Sequence, residues 1–186
     1  MDTKVMPDRI DFETPSDEAI CLHEAGHACA ALIVGLQPEL IEFVEQQGAP
    51  GRARNRIPVG DERQRRLVAC AGYAVEYNLF KANRLTNAAG SPLHEKTFIQ
   101  LAIGQNAAID KQQFFGDSRE QSNGSWPAAD DTNFMTMGAE VAKLIPMDCV
   151  EALAAALLAE RRLGRERIIE VTRPYITTDK VGEVSP

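Results

Sequence analysis

His23-Glu24-Ala25-Gly26-His27 lies inside a run, about residues 15–34, that reads as one helix. Side chains four apart share a helix face, so the two imidazoles point the same way and can grip one zinc ion. Glu24 sits one step round from His23, where a carboxylate can reach a water on that ion and act as general base. Stripped of chemistry, the same stretch is an amphipathic core helix with two incidental histidines.

The flanks support a helix. Thr14-Pro15-Ser16-Asp17 is a start signal, with Thr14 expected as N-cap and Pro15 at the first helical position. Asp17 and Glu18 fall near the positive end of the helix dipole. Ala28, Cys29, Ala30 and Ala31 are small enough to let a second helix come close to the metal. Gly35 and Pro38 end the run.

His23-Glu24-Ala25-Gly26-His27-Ala28 resembles the zinc helix of the peptidase domain of the FtsH family, the membrane-anchored ATP-dependent proteases. Ala71-Gly72-Tyr73-Ala74-Val75-Glu76 resembles that family's second signature helix. There Gly72 marks close packing against the zinc helix. Glu76, as a buried carboxylate in need of a partner, is expected to take a histidine N–H; direct ligation of zinc is the competing role. The run 131–144 is similar to the third signature, in which an Asp opens a helix and supplies the third zinc ligand. Counted from Asp131, Ala139-Glu140 holds the place of the family's small-charged pair. The resemblance therefore implies Asp131 as ligand, with Asp130 as the alternative. An Asp at a helix start is also a cap in its own right.

From the resemblance follows a mainly α (α+β) fold, a helical zincin-like domain with a small β-hairpin or sheet beside the HExxH helix. It spans about residues 14–175, behind an arm at 1–13 and ahead of a tail at 176–186. The chain carries an insertion at about 83–125. There, residues 93–103 suggest a helix and 105–125, rich in Gln, Asn, Asp, Gly and Ser, read as loop. His94 reads as a surface residue.

Between the signatures, residues 36–44 and 52–59 read as two short strands around a Gly-Pro-Gly-rich turn, the second with Arg52, Arg54 and Arg56 on one face. An edge strand in that place either binds substrate backbone or is simply guarded by charge. Asp61 caps the next helix, whose first turn carries Arg63, Arg65 and Arg66. Those arginines oppose the dipole and read as a solvated face. Residues 147–163 form a strong helix broken at Gly164, and a short helix follows before Pro174.

Composition limits the classes. The chain has 186 residues, 44% of them hydrophobic and 25% charged, as in ordinary globular proteins. A net charge of −7 gives no basic field for nucleic acid. No apolar run approaches the roughly 18 residues of a membrane span, and residues 1–13 show no signal core, so a cytoplasmic location is expected. Cys21, Cys29, Cys70 and Cys149 form no CxxC pair and read as buried free thiols. No Walker sequence is present. The expected activity is therefore a zinc-dependent, ATP-independent metalloendopeptidase acting on polypeptide. A homo-oligomer and a separate ATPase are open as partners. A non-catalytic zinc or polypeptide-binding module and a zinc amidase on a small substrate are the alternatives.

Overall fold

Ser16, rather than Thr14, opens the first helix. In a computed structural model that describes residues 6–14, 16–46, 49–116 and 126–176, helix α1 runs Asp17–Ile33. The Ser16 hydroxyl accepts from the Ala19 N–H at 3.1 Å and satisfies one of the helix's four free donors. The Thr14 N–H turns back instead to Asp11 Oδ1 at 3.1 Å. Pro15 lies outside the described residues.

The fold is mainly helical with a small sheet. After α1 come strands β2 (Leu40–Gln46) and β3 (Ala49–Arg56), an antiparallel pair with Ile41 opposite Asn55. A third strand, β5 (Arg162–Gly164), lies on the far side of β2, so the order is β3-β2-β5 and β3 is an edge. Residues 147–163 read as continuous helix in the sequence, but helix α7 (Met147–Glu160) stops earlier. Arg161 takes a left-handed φ of 62°, which redirects the chain into β5, where Leu163 is fully buried.

Helix α2 (Glu62–Ala69) starts in a complete capping box of Asp61 and Gln64. What reads as one apolar stripe is divided at Cys70, and α3 (Ala71–Lys81) begins there. Helices α3 and α7 pack on α1. The small residues of α1 allow this: Ala25, Ala28, Cys29 and Ala31 are fully buried. Cys29 and Cys149 meet there with sulfurs 3.3 Å apart, and all four cysteines are buried and free.

The N-terminal arm and the stretch 83–125 hold more structure than the sequence suggested. In the N-terminal arm, β1 (Ile10–Asp11) pairs in parallel with β4 (Leu85–Thr86), and Ile10 and Phe12 are buried. The stretch 83–125 holds α4 (Glu95–Leu101), a π-helical turn (Ala102–Asn106) and α5 (Ala108–Phe115). Helix α5 replaces the loop expected from residue 105 onward; residues 117–125 lie outside the described residues. Its stripe Ala107, Asp110, Lys111, Phe114 is buried. Two charges in the middle of that stripe hide its helical period from a hydropathy reading. Helix α6 (Ala128–Ala142) has Pro127 at its N-cap, so Asp130 and Asp131 stand inside its first turn rather than at its cap. Helix α8 (Arg165–Thr172) closes the described fold. Residues 177–186 of the expected tail fall outside it. Among the described residues no helix is long and apolar enough to cross a membrane.

Candidate metal centre

Helix α1 places its two histidines as their spacing predicts. His23 and His27 stack along one face of α1, ring centroids 4.9 Å apart and edge to face. Each ring is anchored through Nδ1. His27 Nδ1 donates to the Val68 carbonyl of α2 at 2.8 Å. His23 Nδ1 donates to Glu76 Oε1 of α3 at 2.9 Å. Those bonds orient the rings so that both Nε2 atoms face inward. Glu76 thus sits where an outer carboxylate orients a histidine, and Asn106 donates to the same oxygen at 3.0 Å.

The carboxylate facing those nitrogens is Asp110, not Asp131. Its Oδ2 lies 3.1 Å from His23 Nε2 and its Oδ1 lies 3.4 Å from His27 Nε2. Among the described residues, His23, His27 and Asp110 form a group whose ligand atoms all lie within 4.8 Å of one another. Asp131 and Asp130 are outside it. Asp131 Oδ1 accepts from Lys111 Nζ at 2.8 Å, so its role is to pin α5 against α6. The structure does not bring the expected α6 aspartates into that group: a buried lysine, 4% exposed, takes the Asp131 carboxylate, and the position beside the imidazoles is filled from α5.

Helix α5 is held firmly enough to deliver that side chain. Lys111 Nζ also donates to the Ile103 carbonyl at 2.9 Å. Arg65 donates to the Phe114 carbonyl at 3.1 Å and to that of Gln113 at the end of α5. The Arg66 guanidinium lies 4.4 Å from the centroid of the Phe114 ring. Two of the three arginines read as a solvated face therefore clamp the helix that carries Asp110. A cation at a helix C-terminus also suits its dipole.

Gly72 explains how α3 comes so near. A Cβ there would lie 2.3 Å from both Nε2 and Cε1 of His23. Gly26 makes the reciprocal approach: a Cβ there would lie 2.7 Å from Val75 Cγ2 and 2.9 Å from the Ala71 carbonyl oxygen. Gly72→Ala is expected to cost about 1–3 kcal/mol, because the ring it strikes is already tied at both nitrogens. Zinc affinity should fall in the same variant, which chemical denaturation and competitive zinc titration would measure; an unchanged affinity would contradict this packing.

Electrostatics bind the three groups together. Burial disfavours the charged imidazolium of His23, but the Asp110 charge and the hydrogen bonds to Asp110 and Glu76 outweigh it and raise its pKa well above the ordinary value. His27 is raised too: burial again opposes, and Asp110 again outweighs it. Burial of Asp110 is overcome by the two imidazoles, which hold its carboxyl below the usual range. In the metal-free protein the imidazolium–Asp110 contacts stabilise fully below the ordinary histidine pKa of about 6.5 and weaken as pH rises through the raised values. The contribution of Asp110 is present above about pH 4 and is lost as pH falls through its lowered value.

Two inward imidazole nitrogens and one carboxylate, with ligand atoms within 4.8 Å of one another, are a group that could hold one divalent ion. Such an ion must displace the protons held on the imidazoles. Uptake is therefore expected to release protons and to tighten with rising pH above about 6.5. Calorimetric titration in two buffers of different ionisation heat would detect this, and a pH-independent affinity with no proton release would refute it.

Glu24 is held apart from that donor group. Asn55 of β3 donates from Nδ2 to the Glu24 main-chain carbonyl at 3.0 Å and to Glu24 Oε2. Two cavities meet here, of about 240 and 330 Å³, and His23 and Glu24 line both. Set beside known proteins, the chain matches no protein-family model and no curated protein.

Proposed function

We propose that the chain is a zinc-dependent peptidase that needs no ATPase of its own. The observation that supports this best is the division of labour on α1. Two histidines converge on Asp110, while Glu24, on the same helix, is turned by Asn55 into the open cleft rather than into the donor set. A site that only stores a metal has no use for a carboxylate held in this way.

His23, His27 and Asp110 would hold the ion. When bound, it supplies Lewis acidity, polarising a peptide carbonyl and acidifying a water. Glu24 takes a proton from that water as it attacks the carbonyl carbon. Glu24 then delivers the proton to the departing amine nitrogen as the C–N bond breaks. Glu76 and the Val68 carbonyl keep the two imidazoles in one tautomer throughout. Asn55 limits the rotamers open to the Glu24 carboxylate, so the base is oriented before substrate arrives.

The shape favours polypeptide over a small amide. The cleft extends to both sides of Glu24 instead of closing into one pocket. Edge strand β3 runs along it, with an outer rim that can pair with an extended chain. The test is digestion of casein by zinc-loaded protein, with loss of cleavage under a chelator and recovery on adding zinc back. Stoichiometric zinc without turnover of casein or of unstructured peptides would favour a binding module instead.

A further inference from the structure

The two cavities differ in chemistry. The larger is walled by Leu36, Ile57, Pro58, Val68 and Ile109, and there Glu24 and Asp110 share the lining with Arg54. The smaller carries three carboxylates, Glu13, Glu24 and Glu76, and among the described residues no lysine or arginine lines it. Its apolar wall is Phe12, Ile20 and Leu101. A bound divalent ion does not cancel this acidity. Its two charges are matched by Asp110 and Glu24, which leaves Glu13 and Glu76 over.

Glu76 adds a second, independent sign. The residue is 3% exposed, and its Oε1 serves both His23 and Asn106. Among the described residues its Oε2 is buried with no hydrogen-bond partner. A carboxylate oxygen left unmatched inside a protein is costly, and a cation nearby would relieve it.

We propose that this smaller cavity is a subsite for a basic group of the polypeptide substrate, a lysine or arginine side chain beside the bond to be cut. The apolar wall receives the methylene stem while the charged head meets Glu13 and Glu76. At about 240 Å³ the space suits one side chain rather than a larger ligand. The word substrate rests on the peptidase reading; the complementarity of charge does not.

The experiment separates the two. Short peptide hydroxamates, which chelate zinc and are not cleaved, are prepared with lysine or with uncharged norleucine next to the chelating group. Their binding to zinc-loaded protein is measured by competition at low and high salt. The lysine probe should bind about 10-fold more tightly, and the ratio should shrink at high salt as screening shortens the reach of the charges. In Glu13→Lys the ratio should invert. Glu13 is exposed, so the variant should fold normally, which its circular dichroism would verify. Equal binding of the two probes to wild type, a preference that survives Glu13→Lys, or no binding of either probe would overturn the subsite. A clear lysine preference in a protein that cleaves no peptide would leave the subsite standing and remove the peptidase reading.

Discussion

Asp110→Asn is expected to weaken zinc binding by at least about 100-fold and to abolish peptide cleavage at ordinary zinc concentrations. Losing a mere outer-shell partner of a metal site already costs about 10–100-fold, and Asp110 faces both imidazoles directly. Asparagine keeps the shape but supplies a neutral oxygen, so His23 and His27 lose the charge that organises them. Asp131→Asn is the matched control. It removes the charged partner of buried Lys111 and should lower stability by about 1–3 kcal/mol, while full zinc stoichiometry is retained. Zinc titration monitored by a competing chromophoric chelator, alongside denaturant melts, reads both variants. Metal loss in Asp131→Asn with normal binding in Asp110→Asn would reverse the assignment.

Glu24→Gln should show the opposite pattern: zinc bound as in wild type and cleavage lowered by about 100- to 10,000-fold, the usual span for loss of a general base. The amide oxygen can still accept from Asn55 Nδ2, so the local fold has no reason to change. Glutamine cannot take a proton from water near neutral pH, and that alone separates the variants. Casein digestion and zinc content measured on one preparation are sufficient. Cleavage at the wild-type rate would end the proposed role of Glu24, and loss of zinc would show that the carboxylate does more than move protons.

Much of the site is legible in the amino-acid sequence. The i, i+4 pair His23 and His27 needs only helical geometry to converge, and small residues around it announce that another helix comes close. Gly72 and Glu76 are four apart on α3, and the same local rule places one beneath the His23 ring and the other at its Nδ1. The edge strand is legible as well, as charged alternation after a turn.

Asp110 is not, and the causes are physical. It lies 87 residues from His23 in sequence, within a stretch whose Gln, Asn and Asp content argues for loop. Its helix is short and its buried face carries Asp110 and Lys111 in place of apolar side chains, so periodicity in hydropathy fails. Asp131 offers a better local pattern, an acidic helix start followed at the right interval by Ala139-Glu140, and pattern alone does not reveal that Lys111 takes it.

By itself, then, the sequence determined what one helix can hold: two imidazoles on one face, a carboxylate beside them, and small residues that invite a neighbour, all consequences of a 3.6-residue turn. Which acid completes the group was decided by the tertiary structure alone. Arg65, Arg66, Lys111 and Phe114 lock α5 against α2 and α6, and contacts between segments far apart in the chain are set by packing and burial of charge, which no local spacing encodes.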